Sequence, residues 1–257
     1  MFRELYNYRE MLKTNVKKEI RGKYKASFLG VLWSFMNPLL QVLVYAIVFP
    51  YMLRNTGDDY IIYLVTGIIP WTFFLNVMND CVGCVKNNAG IIKKVYFPRE
   101  ILPISSAVSG LVNFFISCLI ILFFCAIFHV SLSWQILFVP LLAIIEGMLA
   151  LGLGMALGAM DAYVQDLEYL VNFILNMAFY GCPIIYRLDM FSAGSKIVQL
   201  ISYNPLTIIM NGYRGAFLYH TSLTFNEYLY IFGISLAALI IGWTIFNKLK
   251  KGFAEQF

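Results

Sequence analysis

Apolar and polar residues follow one another along this chain in long blocks, not in the 3.6-residue rhythm of a surface helix. The apolar blocks run over about 28–53, 60–85, 101–128, 136–160, 169–186 and 228–246. Each is read as a helix crossing ~30 Å of hydrocarbon at 1.5 Å per residue. Only a helix or a closed barrel satisfies its own backbone there, so the pattern predicts an all-α integral membrane protein with six transmembrane helices. Asn37-Pro38 interrupts the first block early and predicts a kink or turn between an interfacial and a spanning segment.

The polar breaks assign the sides. The stretch KNNAGIIKKVYFPREILP (86–103) carries Lys86, Lys93, Lys94 and Arg99, a Phe97-Pro98 break, and one acid, Glu100. Each Lys or Arg at the centre of a span costs ~3 kcal/mol, and such cations collect on the cytoplasmic face. The stretch is therefore a cytoplasmic loop. The short turns 54–59 and 129–133 then lie outside and the acidic loop 161–168 inside, which puts both termini in the cytoplasm. Residues 187–225 are semi-apolar but broken by Gly194, Lys196, Asn204-Pro205, Gly212 and Arg214. Their apolar pieces are too short or too charged to cross, and predict two short re-entrant helices in the outer leaflet, the second opening at Asn204-Pro205. In the N-terminal segment, Phe2, Leu5, Leu12, Val16 and Ile20 share one side of a helix whose other sides carry Arg3, Lys18 and Arg21. This predicts an amphipathic helix in the headgroup region, the competing reading being a plain topogenic charge cluster.

Composition sharpens this picture. The 257 residues are 60% hydrophobic and 13% charged, with mean hydropathy +0.74; a soluble domain carries roughly 25% charged residues. The net charge of +5 does not indicate nucleic acid, because most of the 19 Lys and Arg fall in the N-terminal segment, the 86–103 loop and the Lys248-Leu249-Lys250-Lys251 end, all on one side. No signal peptide is expected, since the first two dozen residues lack an apolar core followed by a small-residue cleavage site.

Few residues offer chemistry. Cys81 and Cys84 have C-x-x-C spacing, but with no second pair and no nearby His they read as small apolar residues of a helix. His129 and His220 fall on the outer side near different spans, without an evident carboxylate partner. No G-x-x-x-x-G-K-[ST] is present, so ATP is not bound through a P-loop. Within the spans the carboxylates are Asp80, near the inner face, and the deeper Glu146. An intramembrane carboxylate is functional by default; Glu146 is read equally as a polar contact on a substrate path and as a structural hydrogen bond. Gly154 and Gly158 have G-x-x-x-G spacing and permit close helix approach, more readily within one subunit than across a dimer. Aromatics make up 17% of the chain. Trp71, Trp134, Tyr228 and Trp243 belong to the interfacial belt. Tyr45, Phe49, Phe73, Phe74, Phe179 and Tyr180 are candidates for an aromatic path along which a glycan could slide, core filling being the alternative for each.

Three blocks carry a family resemblance: RGKYKASFLGVLWSFMNPLL at 21–40; TGIIPWTFF with NNAGIIKKVYFPREILP, within 63–103; and CPIIY at 182–186 with NPLT and YRGAFLY between 204 and 219. The closing KKGFAEQF is also similar. The chain resembles the ABC-2 type permeases that export lipid-linked polysaccharides, the group of O-antigen, teichoic acid and capsule exporters. The resemblance implies a homodimer bound to two cytoplasmic P-loop ATPase subunits, which carry the ATP and magnesium; this chain itself needs no cofactor. It makes 86–100 the coupling element, with Lys93, Lys94, Phe97, Pro98 and Arg99 matching the family's pattern, residues 1–27 a gate helix, and 187–225 the helices guarding the outer exit. The implied substrate is a glycan on undecaprenyl diphosphate, with Arg21, Lys23 and Lys25 as candidates to meet the diphosphate, although anionic lipids attract them equally. The expected function is thus a non-catalytic permease subunit in the cytoplasmic membrane. An exporter of drugs or simple lipids and a membrane-embedded transferase are the alternatives.

Overall fold

The computed structural model describes residues 7–24, 32–52, 59–164, 166–191 and 195–256. Among them there are helices and turns and no strand. In chain order the helices are α1 (Arg9–Tyr24), α2 (Leu32–Met52), α3 (Tyr60–Asn87), α4 (Ala89–Ile92), α5 (Ile101–Ile127), α6 (Val139–Asp161), α7 (Leu167–Gly181), α8 (Lys196–Ser202), α9 (Pro205–Arg214), α10 (Phe225–Leu249) and α11 (Phe253–Gln256). A 3-10 turn, Trp134–Phe138, leads into α6.

Among the described residues, four stretches have the length and apolarity to cross a membrane: Tyr60–Asn87, Ile101–Ile127, Trp134–Asp161 and Phe225–Gly252. The protein is thus a multi-pass helical membrane protein. Helix α7, with 15 residues, falls short of that length by itself. It starts where Glu168 meets Lys86 at 3.3 Å and ends at Cys182, beside Asn204. Helix α2 runs unbroken through Pro38 and Pro50, so the expected turn at Asn37-Pro38 is absent. A proline withholds one N–H from the ladder, and in an apolar setting the surrounding backbone has no better partner than the helix itself.

Helix α3 is the centre of the protein. Its residues are buried along almost the whole length, and α2, α5, α6, α7 and α9 all pack on it. The approach depends on glycine. Gly154 and Gly158 of α6 lie against Cys81 of α3, where a Cβ would collide. Gly152 of α6 meets Gly242 of α10 backbone to backbone, at the most extensive helix contact among the described residues. The G-x-x-x-G pair thus works within one chain, and Cys81 and Cys84 are buried free thiols serving as small packing residues.

Helix α1 packs along α5 instead of lying free. Leu12, Val16 and Ile20 are half-buried, and Glu19 accepts hydrogen bonds from the α5 hydroxyls of Ser105 (3.1 Å), Ser106 (3.1 Å) and Ser109 (2.8 Å). Phe2, Leu5 and Lys25, and the side chain of Lys23, lie outside the described residues. At the other end of the molecule, α9 opens as the sequence predicts. Asn204 caps it, its side-chain oxygen accepting from the Leu206 amide at 3.0 Å, and Pro205 occupies the first turn. His129 and His220 both adopt left-handed backbone (φ 53° and 55°) at the ends of helical segments, a conformation in which His is enriched.

Candidate functional site

The 86–103 stretch forms a small projecting structure between α3 and α5. Helix α3 stops at the Asn pair, where the Asn88 amide donates to the Cys84 carbonyl (2.8 Å) and Lys18 of α1 donates to Asn88 Oδ1 (3.3 Å). One turn of helix, α4, then leads into an irregular segment whose Pro98 fixes one φ angle.

The five residues expected to couple divide by exposure. Lys93 and Lys94 are exposed and Pro98 is half-buried. Phe97 is only 4% exposed and packs in a cluster with Cys84, Ile92, Leu102, Phe246 and Phe253. Arg99 is turned inward, donating to the Lys250 carbonyl and stacking 5.7 Å over the Phe253 ring. The side chain displayed outward is one that sequence reasoning passed over, Tyr96, at 93% exposure, flanked by exposed Val95 and Ile91. Lys93, Lys94, Val95, Tyr96 and Arg99 line a shallow concavity of about 240 Å³. An exposed tyrosine is the kind of side chain enriched at protein interfaces. Its neighbour in sequence gave the only clue: where Phe97 points in, Tyr96 points out.

The aromatic set also separates. Phe73 and Phe74 are buried in the chain's own core, Phe73 against Phe114 (ring centroids 4.9 Å) and Phe74 against Trp71 (5.8 Å). Phe179 is buried too, but it joins a surface-reaching strip: Phe49 to Tyr45 (5.5 Å), Tyr45 to Phe179 (6.0 Å), Phe179 to Tyr180 (5.4 Å). Tyr180 is exposed on the same α7 face as Tyr169, Phe173 and Met177. Glu146 is wholly buried. Tyr213 donates to its Oε2 at 2.8 Å, and its Oε1 has no partner. Among the described residues this carboxyl faces the interior of the chain's own core, not an open path.

A second cluster was not legible in sequence. Arg214 is 1% exposed, its guanidinium carbon 3.6 Å from the centre of the Tyr63 ring, with Arg187 at 4.9 Å from that ring. Gly67 makes the room, since a Cβ there would come within 2.8 Å of Arg214 Nη2. The Tyr63 hydroxyl shares its one proton between the carbonyls of Pro183 (2.9 Å) and Tyr186 (2.7 Å), and Arg187 pairs with Asp59. Arg214 itself donates to the Ile184 carbonyl (3.3 Å). This cation is thus held by an aromatic face and carbonyls, and the cluster ties α3, the 182–187 turn and α9 together.

Between α1 and α5 lies an apolar groove of about 390 Å³. Its floor is Leu12, Val16, Ile20 and Val108, and Lys13, Lys17 and Arg21 rim it. Of the three headgroup candidates Arg21 lines this groove, together with Lys13 and Lys17, which were not singled out beforehand. Burial against α5 pushes the Glu19 carboxyl above its ordinary value of 4.5, opposed by the three serine hydroxyls.

The model of the ABC-2 type transporter family matches residues 10–218. The chain belongs to the ABC-2 type transporter family. This ABC-2 chain is 33% identical over 249 residues to an O-antigen export system permease protein, RfbA, of Klebsiella pneumoniae, covering 96% of this chain and 94% of the relative. It is 28% identical over 256 residues to the protein of the same name in Myxococcus xanthus, covering 100% and 98%. The polysialic acid transport protein KpsM of Escherichia coli is 22% identical over 246 residues, covering 91% of each chain. In this ABC-2 chain the projecting 86–103 structure, the α1 groove and the buried arginine cluster all lie within the matched residues.

Proposed function

We propose that this chain is the permease subunit of an ATP-driven exporter of a lipid-linked cell-surface polysaccharide, two copies forming the path and a separate P-loop ATPase docking on the 86–100 structure. The exposed Tyr96, between cations and above a buried Phe97 anchor, is the observation that carries the docking reading. The full-length relatives named for O-antigen export support the substrate class.

The topology in this reading has six passes, adding α2 and α7 to the four longer stretches, with both termini in the cytoplasm of the inner membrane. Support comes from the contacts at one end of the molecule, where Lys18 reaches Asn88, Lys86 pairs with Glu168 and Lys250 pairs with Glu100. These basic segments share one face, as the positive-inside rule requires. The helices α8 and α9 act as the outer gate, held shut by the Arg214–Tyr63 stack.

Nucleotide-driven closure of the ATPases pushes the docked structure. The push reaches α3, on which the other helices lean, and opens a path between protomers lined by Tyr45, Phe49 and Tyr180. Aromatic faces there stack on sugar rings while permitting sliding. Lys17 and Arg21, joined by Lys23 and Lys25, meet the diphosphate of an undecaprenyl-linked glycan as it enters beside α1. The chain supplies binding and motion; hydrolysis belongs to the partner.

The test is extraction of tagged protein from native membranes in mild detergent at low salt, followed by identification of stoichiometric partners. A P-loop ATPase is expected, and cells deprived of the permease should accumulate lipid-linked glycan on the cytoplasmic side. Recovery of the chain with no nucleotide-binding partner and no such accumulation would overturn the reading.

A further inference from the structure

In sequence the Lys248-Leu249-Lys250-Lys251 end reads as one of the basic segments gathered on one side. In the structure it turns back under the protein. Helix α10 ends at Leu249, a 3-10 turn covers Lys250–Gly252, and α11 follows. Phe253 is completely buried, edge-on to Phe246 at 5.5 Å and 6.3 Å from the Tyr163 ring. Basic residues alone would hold a tail at a headgroup surface; they do not require a phenylalanine plugged into the interior.

What the tail grips is the coupling structure. Phe253 fills the same cluster as Phe97 and Ile92. Arg99 stacks over Phe253 and donates to the Lys250 carbonyl, while the Lys250 ammonium pairs with Glu100, whose carboxylate is buried. On the other side, the Tyr163 hydroxyl donates to the Leu249 carbonyl at 2.8 Å, and Gly252 lies so close beneath that phenol that a Cβ would collide with it.

We propose that residues 250–256 are a brace that fixes the coupling structure to α10, making Phe253 and Lys250 positioning residues for energy transfer; this rests on the docking reading above. Residues 93–100 have no helix of their own to stiffen them. Left alone, such a segment would absorb a push in its own backbone angles. Bolted through Arg99, Glu100 and Phe97 to the tail, it moves with α10. Helix α10 is in turn locked to α6 at Gly152 and Gly242. A displacement at the docking face therefore reaches the last span directly, and not only through the flanking helices α3 and α5.

The test uses the full complex with its ATPase, reconstituted in nanodiscs, in wild-type, Phe253→Ala, Phe253→Leu and Lys250→Met forms. In Phe253→Ala the ATPase stays bound and hydrolyses within about 2-fold of wild type, while export falls about 10-fold or more. Amide exchange over 93–100 accelerates by about 10-fold or more as the local anchor is lost. Phe253→Leu restores both, and Lys250→Met, which keeps the packed stem, gives the same uncoupling in weaker form. Wild-type export and unchanged loop exchange in Phe253→Ala would overturn the brace. If Phe253→Ala does not assemble, Lys250→Met decides by the same two readouts. Failure of the wild-type chain to hold an ATPase would instead overturn the docking reading, and exchange over 93–100 would still report on the brace.

Discussion

Tyr96 and Phe97 are adjacent and both aromatic, yet truncating them should have opposite consequences. Tyr96 is 93% exposed and contributes almost nothing to the fold, so Tyr96→Ala should change stability by no more than about 0.5 kcal/mol. Phe97 is 4% exposed inside a closed cluster; removing a buried phenylalanine ring costs about 3–5 kcal/mol. If Tyr96 is the knob seated in the ATPase, its loss should cost about 2 kcal/mol of binding or more, or roughly 30-fold in affinity. Thermal unfolding of the detergent-solubilised chain measures the first quantity, and titration with purified ATPase measures the second. Tyr96→Ala should melt like wild type and bind weakly. Phe97→Ala should melt early. Wild-type affinity in Tyr96→Ala would refute the assignment of the docking face, as would a Tyr96→Ala chain that melts as early as Phe97→Ala.

Other consequences are equally direct. Gly242→Leu places a side chain against the Gly152 backbone, and should prevent α10 from seating on α6, seen as loss of the monodisperse peak in size-exclusion chromatography. Tyr213→Phe leaves both oxygens of the buried Glu146 without partners and should destabilise by about 1–3 kcal/mol, whereas Glu146→Gln, which keeps an oxygen for Tyr213, should cost less; melting temperatures of the two variants decide. Glu19 binds its proton more tightly when α1 is docked than when it is free, because burial raises its pKa. Docking of α1 should therefore be firmest at and below pH 4.5 and weaken as pH rises from there through the raised value. Amide exchange of α1 measured across that range should show the dependence, and Glu19→Gln should abolish it.

The helical layout was largely legible because a bilayer imposes length and satisfies nothing. The runs at 60–85, 101–128, 136–160 and 228–246 correspond closely to α3, α5, α6 and α10, and the Asn204-Pro205 signal opened a helix where expected. The rotation of each helix was not legible. In hydrocarbon both the buried and the lipid-facing sides are apolar, so Phe73 and Phe74 carry no mark distinguishing a core position from a path-lining one. Projecting segments fail for another reason. Phe97 packs inward in a cluster that includes Phe253, more than 150 residues later in the chain, and no local pattern encodes that contact. The same holds for Arg214, a residue that breaks an apolar piece in sequence and completes a buried stack in space.

That stack also has an order in time. Tyr63 and Gly67 leave the ribosome roughly 150 residues before Arg214, a lead of about 10–30 s at ordinary synthesis rates. The ring and the vacancy beside it are thus inserted first, as a socket without its cation. A guanidinium arriving earlier would have met only lipid, at a cost of several kcal/mol. Because the arginine comes late, its helix docks on a core already largely inserted, ahead only of α10 and α11, and a chain stalled before it would leave Tyr63 and Gly67 facing a place that their cation has not filled.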